Sequence, residues 1–320
     1  MTFSVRKVAA VAALSAALAG CGGGTGSSGT GAPGTGAPSA GRAAAAATPS
    51  AAAPAQPSPG RPTAGASRAP RPAGSHPAQA PAAPAPGKAP TLAPGPGGLT
   101  PVFARAVNTT DKVVALTFDA DMTADQGPRA RGGERFDNPP LIAALRRLKV
   151  PSTVFMTGRW AEEYPDQARS IGTDPLFEIA NHSYSHYAFK EPCYGLPALD
   201  TAAARADVDR AFEAFRRAGA RNTVPYFRFP GGCYDDDALR ALSVAGVTAV
   251  QWDVVSGDAF AKDPGAVAEQ VIGGVRPGSV VVMHCTRSAA PVTEAAIRRI
   301  VPELRARGYR FVKVSDLVGR

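Results

Sequence analysis

The 320-residue chain carries 35 basic and 26 acidic residues, for a formal net charge of +9. Eight of the basic residues and none of the acidic ones precede Asp111, so the remainder holds 27 against 26. That near-balance excludes a nucleic-acid-binding face on the folded part, while the basic N-terminal stretch suits anionic cell-surface polymers or lipid headgroups.

Arg6 and Lys7 precede the apolar run 8–14, and small residues lead into Leu18-Ala19-Gly20-Cys21. A basic start, a short apolar core and a small-residue end make an export signal over residues 1–20, too short to span a membrane. The Leu-Ala-Gly-Cys ending resembles the bacterial lipobox, in which the Cys is acylated and becomes the mature N-terminus. Cys21 is therefore the expected lipidation site, and membrane lipid on the outer face of the cytoplasmic membrane the expected anchor. A plain cleaved signal with an incidental Cys is the alternative. Residues 21–104 are dominated by Ala, Pro, Gly, Ser and Thr. They hold too little apolar side chain to offset ordering entropy and are expected to be a disordered linker. One folded domain, 105–320, remains, and it is expected to act as a monomer.

Residues 112–118 are a β-branched apolar run, expected as a buried strand that delivers Asp119-Ala120-Asp121 at its end. A helix over 139–149 presents Leu141, Ile142, Leu145 and Leu148 on one face. A strand at 152–156 and a helix at 160–170 follow, then a short strand at 177–180 that runs into His182 and His186. Next come a helix at 198–218, a strand at 224–228, a helix at 235–245 and a strand at 247–252. The chain closes with a helix at 264–272, a strand at 279–283, a helix at 293–307 and a strand at 310–314.

Seven strands alternating with helices predict an α/β fold, a distorted (β/α)7 TIM-like barrel with a parallel sheet. In such barrels reacting groups gather at the C-terminal ends of the strands. Asp119 and Asp121, His182 and His186, Arg228, Asp253 and Asp258, and His284 all follow strands here. Two of the four histidines stand four apart in Asn181-His182-Ser183-Tyr184-Ser185-His186. On a helical turn that spacing puts both imidazoles on one face, within reach of one metal ion. The plainer alternative is a pair that only caps or packs a surface helix.

Thr117-Phe118-Asp119-Ala120-Asp121, the His182/His186 pair, Arg228-Phe229-Pro230-Gly231-Gly232, the segment from Trp252 to Asp258 and Val282-Met283-His284 resemble the five ordered motifs of NodB-type polysaccharide deacetylases, carbohydrate esterase family 4. The resemblance spans the domain from about Val113. It implies a barrel with one divalent metal, usually zinc with cobalt, manganese or nickel as substitutes, that removes acetyl groups from a polysaccharide. By that resemblance Asp121, His182 and His186 are the ligands and Asp119 the general base. Arg228 pairs with Asp119, His284 is the general acid, and Asp258 is its carboxylate partner. Gly231 offers a backbone N–H to an oxyanion. Trp252 is either core or part of the substrate wall.

The chain departs from the family pattern in several places. Ala120 separates two aspartates that are usually adjacent, which leaves open whether one of them merely caps the next turn. Gly231 stands where an aromatic is common, Val255 where an Asp is, and Ala259 where a Trp lines the acetyl groove. Cys193, Cys233 and Cys285 remain once Cys21 is set aside. Export permits disulfides, and Cys193–Cys233 is the expected pair because both follow motifs at the barrel mouth. A cysteine-based metal site or nucleophile is the alternative. The function expected is metal-dependent hydrolysis of acetyl groups, chiefly N-acetyl, from a cell-wall or extracellular glycan. A non-catalytic wall-binding barrel and an amidohydrolase of small non-sugar amides are the competing readings.

Overall fold

The computed structural model describes residues 89–320, so the export signal, Cys21 and most of the linker lie outside the described residues. In chain order the elements are β1 (Val102–Phe103), β2 (Val113–Ala120), α1 (Gln126–Arg131), α2 (Pro139–Arg147), β3 (Ser152–Met156), α3 (Gly158–Glu163), α4 (Pro165–Gly172) and β4 (Phe177–Asn181). They continue with α5 (Ala204–Ala218), β5 (Thr223–Phe227), α6 (Asp236–Ser243), β6 (Thr248–Val250), β7 (Val254–Val255), α7 (Pro264–Gly274), β8 (Ser279–His284), α8 (Thr293–Ala306) and β9 (Arg310–Phe311).

The strands form one parallel sheet in the order β1-β6-β5-β4-β3-β2-β8-β7, with β9 pairing the start of β2. It curls into a distorted barrel, as expected, left open where β1 and β7 end the order. Near the N-terminal ends of the strands that opening is bridged, since Arg105 pairs with Ser279 and the Ala106 N–H donates to the Gly278 carbonyl at 3.0 Å.

Strand parity divides the core in two. On β2, Val114, Leu116, Phe118 and Ala120 pack outward under the helices, while Val113 and Ala115 point into the barrel. Both faces are covered, which is why the strand reads as a continuous apolar run rather than an alternating one. Phe155, Ala180, Tyr226, Val250 and Val280 complete the inner layer, and Val312, Val314, Leu317 and Val318 plug its lower end. Burial raises the pKa of Glu178 there, and its carboxylate accepts from Thr153 Oγ1 (2.8 Å) and the Ser315 N–H (3.1 Å).

Three expectations need correction. Residues 89–104, assigned to the linker, are part of the fold: Ala89 and Leu92 pack on the inner layer, Tyr226 Oη donates to the Pro90 carbonyl, and β1 pairs with β6. The helix expected over 160–170 is two helices, because Pro165 forces Tyr164 out of helical geometry (φ −123°, ψ 58°) and then starts α4 at its first position. Asp253 is not at the mouth. Its carboxylate accepts from Ser279 Oγ (2.9 Å) and the Val280 N–H (2.8 Å) at the start of β8, the opposite end of the barrel. The run 247–252 is really β6 followed by a break before β7, so Asp253 lies below β7 rather than above β6.

Candidate active site

The parity that fills the barrel also aims the site. Two residues beyond the last inward apolar side chain, or a few more, each strand turns polar. Asp119 follows Val113, Ala115 and Thr117 on β2, His182 follows Ala180, Arg228 follows Tyr226, Trp252 follows Val250, and His284 follows Val280 and Val282. Register brings them together: Asp119 lies beside His284 across β2–β8 and beside Phe155 across β2–β3.

The histidine pair is not helical. His182 and His186 lie in the loop after β4, with Ser183 (φ 67°) and His186 (φ 58°) in left-handed backbone. Two local bonds fold this loop: the Ser183 N–H donates to Asn181 Oδ1, and the His186 N–H to Ser183 Oγ, both at 2.8 Å. The two rings end 5.0 Å apart. The pairing expected from helical spacing is thus achieved by a strained turn, which costs free energy and recurs at functional sites.

One ligand atom each from Asp121, His182 and His186 lies within 4.8 Å of the others. His182 Nδ1 sits 2.9 Å from the Arg228 carbonyl, which can only accept, so Nδ1 carries a proton and Nε2 is the nitrogen turned to the site. Enclosure among protein atoms pulls His186 down to about 4, against the opposing charge of Asp121, so its ring is neutral at neutral pH. Asp121 Oδ1 is buried without a hydrogen-bond partner. An orphaned carboxylate oxygen facing two imidazoles fits a divalent cation, and this donor set suits zinc.

On one side of this group Arg228 is fully buried and donates from Nη1 to Asp119 Oδ1 at 2.6 Å. Its guanidinium stacks over the Phe155 ring at 3.8 Å and donates from Nε to the Val250 carbonyl. Asp119 Oδ2 stays on the site side, 3.8 Å from His182 Nε2.

On the other side His284 Nδ1 and Asp258 Oδ1 are 2.8 Å apart. Asp258 is fully buried and accepts three further bonds, from Ser256 Oγ, Thr293 Oγ1 and the His284 N–H. Burial alone would raise its pKa, yet the His284 bond and charge hold it below the usual carboxylate value. Burial likewise presses His284 toward neutrality, but Asp258, helped by Asp121 and Asp119, overrides it and pushes the imidazole up to about 10.

Gly231 sits in left-handed backbone (φ 63°), and a Cβ there would meet Cys193 Sγ at 2.6 Å. The Cys193–Cys233 disulfide is present, and Cys285 is free and buried, so no sulfur enters the ligand group. Trp252 is half-buried: its ring lies against Gly232 and packs on the inner core layer. Sequence reasoning missed Ser256, Thr293 and Thr286, whose Oγ1 accepts from the Asp121 N–H at 3.0 Å. Hydroxyls carry no spacing signal that could have singled them out.

A family profile described as polysaccharide deacetylase matches residues 106–250. The chitooligosaccharide deacetylase of Sinorhizobium fredii is 30% identical over 202 residues, 59% of this chain and 86% of that protein. The peptidoglycan-N-acetylglucosamine deacetylase of Bacillus cereus is 27% identical over 216 residues, 66% and 91% of the two chains. In three dimensions the family 4 carbohydrate esterase from Streptomyces lividans, solved with acetate, superposes with a TM-score of 0.53 at 27% identity, over 66% of this chain and 97% of that one. The curled parallel barrel agrees with these likenesses, and the chain belongs to the polysaccharide deacetylase family.

Proposed function

We propose that this chain is a metal-dependent hydrolase that removes acetyl groups, chiefly N-acetyl, from a cell-wall or extracellular polysaccharide such as peptidoglycan or a chitin-like glycan. One observation carries the reading: three ligand atoms converge within 4.8 Å between an Asp–Arg pair and a His–Asp pair. Asp121, His182 and His186 would hold the cation, which supplies Lewis acidity to an acyl oxygen and lowers the pKa of a nearby water.

The remaining work belongs to the chain's own side chains. Asp119 has one oxygen tied to Arg228 and uses the other to take a proton from the water that attacks the acyl carbon. His284, with Nδ1 committed to Asp258, delivers a proton from Nε2 to the departing nitrogen as the C–N bond breaks, leaving acetate and a free amine. The Gly231 N–H is assigned to the developing oxyanion. Arg228 and Asp258 position the base and the acid and touch no substrate.

Acetate release from N-acetylated chito-oligosaccharides, peptidoglycan fragments, acetylxylan and a small aryl acetamide, with and without chelator, tests this. Chelator-sensitive release from a glycan supports the reading. Turnover of the small amide alone overturns the glycan, and no turnover of any substrate by the metal-loaded protein overturns the enzyme.

For location we propose a lipid-anchored, exported protein, supported by Leu18-Ala19-Gly20-Cys21. Cys21→Ala should then move the protein from the membrane fraction to a soluble exported pool. An unchanged distribution with no lipid on the mature N-terminus would leave a plain export signal.

A further inference from the structure

Five non-glycine residues among those described have left-handed backbone: Lys149, Ser183, His186, Tyr194 and Phe260. Lys149 follows α2 in the turn into β3. The other four lie on loops at the C-terminal ends of the strands, where the site is. Ser183 and His186 build the ligand loop, so their strain is accounted for. Tyr194 and Phe260 hold no ligand and no proton.

Both are aromatic, and they are the most exposed large apolar side chains of the described residues, at 89% and 81%. Each is also anchored to a working part of the site. Tyr194 follows Cys193, whose disulfide to Cys233 fastens its loop over the Gly231–Gly232 turn, and its ring edge lies 3.2 Å from where a Gly231 Cβ would stand. Phe260 follows Asp258 by two residues, and its N–H donates to the Ala289 carbonyl at 2.6 Å, in the loop that begins just after His284. One aromatic thus belongs to the Gly231 side of the mouth and the other to the His284 side.

A bulky aromatic in left-handed backbone costs stability, and leaving it in water recovers nothing by burial. A ring held out at such cost beside a site is suited to an apolar face brought by a ligand. The axial C–H face of a pyranose is one, and equatorial linkage repeats it along a chain. We infer that Tyr194 and Phe260 are stacking platforms for the sugar rings on either side of the residue being deacetylated, so that the substrate is recognised as an oligosaccharide rather than as a single sugar. This rests on the glycan reading above and deepens it.

The test compares Tyr194→Ala, Phe260→Ala and the double variant with the unaltered, metal-loaded protein on a chito-pentaose, a disaccharide and an aryl acetate. The quantity read is the ratio of kcat/KM on the pentaose to kcat/KM on the aryl acetate. It should fall roughly tenfold for each ring removed, mainly through KM, and Tyr194→Trp should restore it. The disaccharide should respond to at most one of the two changes. A ratio unchanged in the double variant, or an equal loss on all three substrates, overturns the inference. A parent protein that cleaves the aryl acetate in a chelator-sensitive way but no glycan overturns the glycan reading instead, and the stacking assignment with it.

Discussion

His182 Nδ1 lies 2.9 Å from the carbonyl oxygen of Arg228, so the backbone that carries the guanidinium paired with Asp119 also orients the ring of a proposed metal ligand. This one contact links the two halves of the site. It requires a proton on Nδ1 and leaves Nε2 free to ligate, 3.9 Å from Asp121 Oδ1. Replacing either His182 or His186 by Ala should therefore abolish stoichiometric metal binding and turnover together. Elemental analysis after dialysis checks it, and near-stoichiometric zinc in both single variants would refute the ligand set.

The Arg228–Asp119 pair should matter to folding as well as to catalysis. Arg228 is wholly buried, so removing it strands a carboxylate away from water. Arg228→Ala is expected to destabilise the protein by roughly 3–5 kcal/mol in urea denaturation, the usual cost of breaking a buried pair from one side. A loss below about 1 kcal/mol would mean that the carboxylate finds another partner.

The His284–Asp258 pair makes a pH prediction. In the metal-free protein the imidazole is pushed up to about 10, so it stays protonated through neutral pH and loses its proton only in alkali. Asp258→Asn removes the main opposing charge while burial remains, and the His284 pKa should fall well below about 10, with Asp121 and Asp119 alone left to hold it up. An NMR titration of the ring in both proteins measures this directly. In the metal-loaded enzyme the alkaline limb of activity should move to lower pH in Asp258→Asn, with metal content unchanged. A limb that stays in place would assign it to another group.

The disulfide closes a loop of 40 residues between Cys193 and Cys233. In the chain-entropy treatment a loop of that length is worth about 4 kcal/mol. Cys193→Ser should lower stability by roughly that amount under oxidising conditions and by little in a reductant. An equal loss in both would show that packing by Cys193, rather than the link, is responsible.

Much of this was legible in the residues. The six longer strands, β2 to β6 and β8, announced themselves because they are largely covered on both faces and so read as apolar runs, and Asp119, Arg228 and His284 stood at or just beyond their ends. Strands β1 and β7 hold two residues each, too few to show any period. Without β7 the run 247–252 looked like one strand, and Asp253 was carried to the wrong end of the barrel. The H-x-x-x-H spacing was right about proximity and wrong about its cause, since Ser183 and His186 adopt a backbone that non-glycine side chains disfavour. Contacts made by common hydroxyls, Ser256 and Thr293 on Asp258, depend on the folded arrangement and leave no mark in spacing.

The central claim is that Asp121, His182 and His186 hold one divalent ion on which acetyl hydrolysis depends. The most direct measurement strips the protein with chelator, then adds zinc in sub-stoichiometric steps while following acetate release from an N-acetylated oligosaccharide. Activity is expected to be absent from the stripped protein, to rise in proportion to added zinc and to level at one equivalent per chain, with no recovery in His182→Ala. Undiminished acetate release from the stripped protein, or equal zinc recovery in His182→Ala, would contradict it.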